Sequence, residues 1–425
     1  MTPFVADNLA RTLKNKKVLL GISGSIAAFK ACDIIRNLRK VGAHVRVVPT
    51  ENALQFVTKT TLETLSGHTI HTTLWENHGT HHIDAARWAD IALVAPATAN
   101  VLAKLAQGLA DDLLSTELLA FQGPLFIAPA MNPAMYDHPA TQGNVSTLQS
   151  RGVHILGPVV GNTSCGEEGL GRMLEPEEIV SHLALDLASP KDQTILVTLG
   201  PTRSHLDPVR YLTNRSSGLM GAALCWEASR RGYRVVAVTG PCEAPLPPNT
   251  QIIRVESAAE MLQAAQKVWP RCLAFLSAAA VLDWDVANIS TQKLKKADGL
   301  SLQFQRNPDI LKTLCDSRRP GQWILGFAAE TQDLLNQGEL KIQNKGCNFL
   351  FANDVSIPGQ GFDSQANSGF WFERSPSGSI QTSPLGPDSK VALASLMFDR
   401  MESHWNLSSN RSEITEQYLK TNSIC

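Results

Sequence analysis

Lys17-Val18-Leu19-Leu20-Gly21-Ile22-Ser23-Gly24-Ser25-Ile26-Ala27-Ala28 decides the fold of the first half of this 425-residue chain. Lys17–Ile22 reads as a near-continuous apolar run, the pattern of a parallel strand covered on both faces. Ser23-Gly24-Ser25 then opens a helix running to about Lys40. Small residues between a buried strand and a helix let backbone N–H groups approach an anion. A tight turn that simply needs small residues is an equal reading of the same stretch. The G-x-G-x-x-G pattern of dinucleotide sites is missing, and no ribose-binding acid follows where one is expected, which argues against a nicotinamide-dependent oxidoreductase.

Outward from this turn the same alternation recurs. Strands are predicted over residues 45–49, 91–96 and 125–129, with helix-period segments over 53–59, 100–108, 111–121 and 140–151. Alternating strand and helix with apolar strands predicts a doubly wound parallel sheet. The pattern fades through Leu183-Ala184-Leu185-Asp186-Leu187-Ala188-Ser189-Pro190, a helix end and a proline-bearing linker, and then restarts. Further strands are predicted at 194–198, 235–239, 273–277, 323–327 and 348–351, with a late antiparallel strand at 370–373. Helices are expected at 221–231, 258–268, 309–315, 333–344 and 389–402. The expected organisation is α/β, with two doubly wound Rossmann-like domains over residues 1–189 and 190–405. The first is flavodoxin-like with a parallel sheet and the second has a mixed sheet. Residues 406–425 are polar and aperiodic, the pattern of a disordered tail.

Bulk composition excludes several classes. Lys and Arg number 38 against 39 Asp and Glu, so no basic field recruits nucleic acid. An apolar content of 43% is that of a globular chain. Residues 1–16 carry no apolar leader, and no apolar run approaches membrane-spanning length. The eight cysteines form no CxxC pair, so neither structural zinc nor a disulfide framework is suggested. These features predict a reduced cytoplasmic protein with no membrane partner.

Three polar clusters interrupt the first domain's pattern: His81-His82-Ile83-Asp84, Pro129-Ala130-Met131-Asn132, and the run from Ser164-Cys165-Gly166-Glu167 to Gly171-Arg172-Met173. Loops at the strand ends of an open α/β sheet converge on ligands. The clusters offer an imidazole, a carboxamide and a thiol, enough to orient a substrate, bind its carboxylate and move a proton. Taken alone, His82 reads equally as a solvated loop histidine and Cys165 as a buried thiol. Gly166, Gly169 and Gly171 around Cys165 point instead to a flexible flap. Proline after Asn132 pushes that residue into extended geometry. Ala95-Pro96-Ala97-Thr98-Ala99-Asn100 and Thr50 add small and hydroxylic residues on the same sheet edge, which together suit a mononucleotide pocket.

These motifs, in this order over about residues 16–185, resemble the flavin-containing half of the bifunctional phosphopantothenoylcysteine decarboxylase/phosphopantothenate–cysteine ligase family of coenzyme A synthesis. The resemblance implies FMN held by Gly24, Ser25, Ala27, Thr50, Thr98, Asn100, Ala130 and Met131. It implies oxidation of the substrate thiol to a thioaldehyde, loss of carbon dioxide into that electron sink, and return of the hydride. Asn132 would hold the carboxylate, His82 would act in the oxidation and decarboxylation, and Cys165 would donate a proton. It also implies trimers of flavin domains and dimers of ligase domains, in a homo-oligomer such as a dodecamer.

In the second half, Asn214-Arg215-Ser216-Ser217-Gly218 at a helix start suits a phosphate cradle. Lys293, Lys295 and Lys296 read equally as a solvated charge run or as cover for a triphosphate. Motifs over about 193–355 resemble the ligase half of the same family. The resemblance implies that 4'-phosphopantothenate, cysteine and CTP are substrates, that an acyl-cytidylate forms, and that Mg2+ screens the polyphosphate. Asp283 and Phe327 would contact cytidine and Lys293 the triphosphate, with Asn307, Pro308, Asp309, Ile310, Lys341 and Lys345 completing the nucleotide site. Asn214 would stabilise the intermediate, and Arg210 would bind an acyl or phosphate group. Leu219 stands where the family usually has lysine, and Leu199, Ser204 and Leu282 also depart from its pattern. A decarboxylase with a degenerate ligase domain serving oligomerisation, and a non-catalytic flavoprotein subunit, are the competing readings.

Overall fold

The computed structural model describes residues 1–75, 81–162, 166–295, 301–356, 364–375 and 377–421, with the side chains at 81–82 and 406–421 outside that description. The chain divides into two compact units, Met1–Ala188 and Ser189–Cys425. The expected boundary near residue 190 agrees with this division.

Five parallel strands carry the first unit: β1 (Lys17–Ile22), β2 (His44–Pro49), β3 (Ile91–Ala97), β4 (Leu125–Pro129) and β5 (His154–Ile155). Their order, β2-β1-β3-β4-β5, is the flavodoxin order, with a switch point between β1 and β3. A hairpin of β6 (Val159–Asn162) and β7 (Glu168–Arg172) stands outside the sheet. The helices are α1 (Pro3–Leu13), α2 (Ala31–Lys40), α3 (Lys59–Ser66), α4 (His81–Trp88) and α5 (Ala99–Gln107). They continue with α6 (Leu113–Ala120), α7 (Pro133–Asp137), α8 (Pro139–Ser150) and α9 (Pro176–Leu185). β3 is buried at every position, as its unbroken apolar run requires. Its Ala92 and Val94 pack with Leu19, Ile127 and the helical Leu102, Leu114 and Leu118. Asp112 and Ser115 form a capping box that starts α6, a helix whose Leu113, Leu114, Ser115, Glu117 and Leu118 are all buried.

Two local expectations change, and one helix is added. The helix expected over 53–59 is a 3-10 turn, Glu51–Gln55, followed by α3, because Thr50 and Thr58 each cap a fresh start. His81-His82-Ile83-Asp84 opens a helix rather than lying in a loop, and Ala85 and Ala86 turn inward from it. The first residues form α1, capped by Thr2, with Phe4, Val5, Leu9 and Leu13 buried.

The second unit holds β8 (Thr194–Leu199), β9 (Arg203–His205), β10 (Tyr211–Thr213), β11 (Arg234–Thr239), β12 (Gln251–Arg254) and β13 (Ala274–Ser277). These are followed by β14 (Trp284–Val286), β15 (Phe304–Arg306), β16 (Trp323–Glu330), β17 (Phe349–Asp354), β18 (Ala366–Arg374) and β19 (Ile380–Ser389). The main sheet runs β12-β11-β8-β13-β16-β17-β18-β19. Its first six strands are parallel in the Rossmann order, and β18 and β19 are antiparallel, which makes the sheet mixed as expected. The helices are α10 (Leu219–Arg230), α11 (Ala258–Val268), α12 (Ile310–Asp316), α13 (Leu334–Lys345) and α14 (Lys390–Thr421). Leu196, Val236, Phe275, Ile324 and Leu350 from the sheet meet Met261, Leu314 and Ile342 from the helices. The backbone of α14 continues through most of the segment expected as a frayed tail. No glycine or proline interrupts residues 390–421, so nothing local stops the helix. Among the described residues no helix is long and apolar enough to cross a membrane.

Candidate active sites

In the first unit the strand-end loops meet where β1 and β3 diverge. Ser23 links two of them: its Oγ donates to the Pro96 carbonyl at 2.8 Å and accepts from the Thr98 N–H at 2.9 Å. Ser25 caps the 3-10 turn Ile26–Lys30 by accepting from the Ala27 N–H at 3.3 Å. Gly24 is required by close packing, since a Cβ there would lie 2.5 Å from that of Asn52. Thr50, held to Ile22 through its own N–H at 2.8 Å, caps the next turn. Thr98 is the N-cap of α5 yet makes no side-chain capping bond, so its hydroxyl is not spent on the helix. Asn100 lies in the first turn of α5. Beside these groups Ile26 and Phe29 are more than half exposed, an apolar wall next to a polar turn. Hydroxyls, a helix N-terminus and an apolar wall together fit a phosphate-bearing ring cofactor.

Asn132 has φ −59° and ψ 144°, the extended geometry expected before proline. Its Oδ1 accepts from the Ala134 N–H at 2.8 Å, which turns Nδ2 outward. That Nδ2 donates to Glu167 Oε2 at 2.5 Å, so the carboxamide already holds a carboxylate. The Met131 N–H donates to the Gly171 carbonyl at 3.1 Å, fixing the hairpin on this loop. A Cβ on Gly171 would fall 2.3 Å from the Met131 oxygen, and one on Gly169 2.8 Å from Pro133. These two glycines therefore permit close approach rather than flexibility, while Gly166, at φ +80°, does occupy the left-handed region. Cys165 and the His82 side chain lie outside the described residues. Nothing in the sequence singles out Glu167 within its motif, because a polar loop residue carries no signal of its partner.

In the second unit a cavity of about 400 Å3 opens at the ends of β13, β16 and β17, next to the switch point between β8 and β13. Asn214, Asp283, Phe327 and Lys341 line it, as does the Ser216-Ser217-Gly218 cradle before α10. Asn214 Nδ2 is held by the carbonyls of Ala280 at 3.3 Å and Val281 at 3.0 Å. Lys341 pairs with Glu330 at 3.6 Å. Leu219 is half-buried on the cavity wall. Buried Lys390, about 170 residues away in sequence, lines the same wall and was not anticipated.

Other expected members stand outside this lining. Asn307 donates from Nδ2 to the Leu282 carbonyl at 3.0 Å and from its N–H to Asp283 at 2.9 Å, so it braces the Asp283 loop. Asp309 caps α12, pairs with Lys345, and stands beside Pro308 and Ile310. Lys293 is exposed. Arg210 is held by Asp207, with Nε 2.9 Å and Nη2 2.7 Å from Oδ2, and also donates to the Leu294 carbonyl at 2.6 Å. Burial works against the Asp207 charge, yet donors from Val209, Leu294 and Arg210 hold its carboxyl well below the usual range. Arg210 thus anchors the loop that carries Lys293.

These two sheets, each with polar loops gathered at its switch point, define a two-unit α/β protein of ligand-binding architecture: a flavodoxin-order unit followed by a Rossmann-order unit. Residues 7–187 match the family model described as Flavoprotein, and residues 190–404 the DNA/pantothenate metabolism flavoprotein C-terminal domain. The chain is 44% identical over 84% of its length to the coenzyme A biosynthesis bifunctional protein CoaBC of Vibrio vulnificus, covering 91% of that protein. It is 41% identical to the protein of the same name from Escherichia coli K12, over 84% of this chain and 90% of that one. A solved PPC decarboxylase mutant complexed with pantothenoylaminoethenethiol is 35% identical, with a TM-score of 0.38, over 41% of this chain and 99% of the other. The chain belongs to the bifunctional coenzyme A biosynthesis family, with a flavoprotein decarboxylase unit and a ligase unit.

Proposed function

We propose that the second unit joins cysteine to 4'-phosphopantothenate with CTP, through an acyl-cytidylate, and that the first decarboxylates the product with FMN. The observation that carries this reading is the carboxylate on Asn132: Glu167 occupies the position a substrate carboxylate would take. Ser25, Ala27, Thr50, Thr98 and Asn100 would hold FMN, with Gly24, Ala130 and Met131 at its edges. When bound, FMN supplies the reversible hydride transfer that makes carbon dioxide loss from the thiol-bearing acid feasible. Asn132 binds and orients the leaving carboxylate, displacing Glu167. His82 would act in oxidation and decarboxylation, and Cys165, which lies in sequence between β6 and β7, would return a proton to the product carbon.

In the ligase, Asp283 and Phe327 would take cytidine and Lys341 the phosphates, while Asn214 steadies the acyl-cytidylate. Lys293, Asn307, Pro308, Asp309, Ile310 and Lys345 would complete the nucleotide site from its rim, and Arg210 supports it by anchoring the Lys293 loop. Asp283 is the one carboxylate among the described lining residues, which do not form a metal cage. Mg2+ would enter on the polyphosphate. The working protein would be a cytoplasmic homo-oligomer built from flavin-unit trimers and ligase-unit dimers.

Mass spectrometry of products from phosphopantothenate, cysteine, CTP and magnesium tests both halves. Phosphopantetheine with CMP and pyrophosphate is the expected result. The second reading, an inactive ligase unit, is favoured by Leu219 on the cavity wall. Product formed only after phosphopantothenoylcysteine is supplied would establish that reading instead.

A further inference from the structure

A second cavity, of about 360 Å3, lies in the first unit among β1, β2, α4, α6 and the segment after α3. None of the residues assigned to the flavin site lines it. Glu117 of α6 is 2% exposed and lines the cavity, and its Oε2 has no hydrogen-bond partner among the described residues. Asp84 of α4, Arg46 of β2, and His68 and His71 face the same space. A buried carboxyl oxygen left without a partner is costly, and a water, an ion or a ligand that enters the cavity can satisfy it. The Arg46 guanidinium sits 4.3 Å from the centroid of the Trp88 ring, and His68 meets that ring edge-on, so the cationic side of the cavity is positioned.

We propose that this cavity binds a small zwitterion of the amino-acid type, its ammonium group on Glu117 and Asp84 and its carboxylate on Arg46. Two carboxyl groups and a guanidinium lining one cavity match opposite charges on one small molecule. A cavity of about 360 Å3 admits a molecule of this size with room to spare. Burial pushes the Glu117 carboxyl up to about 8, against the pull of Arg46, which favours its protonated form at neutral pH. Burial, then Arg46, His44 and Arg39, lower the pKa of His68, which favours a neutral imidazole beside the carboxylate end. An ammonium guest ionises Glu117, and one proton leaves to solvent as it binds.

Titration calorimetry of the full-length holoenzyme with glycine, β-alanine and 4-aminobutyrate tests this, with propylamine and propionate as single-charge controls. Saturable binding of at least one amino acid is expected, at least tenfold tighter than either control. Its enthalpy should depend on buffer at pH 7 as a proton is released. Glu117→Gln and Glu117→Leu should each weaken it at least tenfold and abolish the proton release, with flavin absorbance and melting temperature reporting an intact fold. No saturable binding, equal binding by propylamine, or undiminished binding by the folded variants would each overturn the proposal.

Discussion

Glu117 shows what one side chain does when a helix is buried on the face that carries it. Its carboxyl is raised to about 8, so between about pH 4.5 and 8 the folded protein keeps a proton that the unfolded chain has lost. That group's contribution therefore falls as pH rises through this window, by roughly 3–5 kcal/mol in all. Glu117→Gln should gain stability relative to the parent as pH goes from 5 to 9. Urea unfolding at both pH values checks this, and a pH-independent difference would refute it. Leu219 is the opposite case, an apolar side chain facing a cavity proposed to take a triphosphate. Leu219→Lys should lower the KM for CTP or phosphopantothenate about 3- to 10-fold, worth about 1 kcal/mol. Unchanged KM values in steady-state kinetics would leave the phosphate contacts to Lys341 and its neighbours.

Elements position these residues through contacts that tolerate little change. The β6–β7 hairpin rests on the Met131–Asn132 loop because Gly171 has no Cβ. Gly171→Val should push the hairpin away and cut the decarboxylase kcat at least tenfold while flavin absorbance is retained. Loss of flavin with activity would place the glycine's role in cofactor binding instead. In the second unit α14 is fastened to α10 by Arg231, whose guanidinium reaches Glu227 at 2.7 Å and both Asp399 and Glu402 at 2.5 Å. Tyr233 and Lys191 also bond Glu402, at 2.7 and 3.1 Å. Arg231→Met would leave Glu402 without its main cation and Glu227 with Arg230 alone, and should destabilise the unit by about 3–5 kcal/mol, measured by thermal unfolding. Burial opposes the charge on both acids, but their partners hold them below the usual carboxylate range. Their stabilisation is therefore present at neutral pH and is lost as pH falls below the ordinary glutamate value.

At the scale of the whole molecule, each unit has its own sheet and its own apolar core. Fragments 1–188 and 189–425 should each fold alone, with cooperative melting and, for the first, bound flavin; aggregation of both would refute this. The sequence by itself determined the alternation of strands and helices, the boundary near residue 190, and the loops that carry Asn132 and Asn214. Those features rest on local spacing, apolar runs and caps within a few residues of each other. It misread His81-His82-Ile83-Asp84 as a loop because a helix of eight residues that buries two small alanines has a weak period. Only the tertiary structure decided that Glu167 lies on Asn132, that Lys390 shares a wall with Leu219, and that Arg210 anchors the Lys293 loop. It alone brought Arg46, Asp84 and Glu117 around one cavity. Such groupings depend on how distant elements cross and pack, and no local pattern encodes the distance between side chains on different elements.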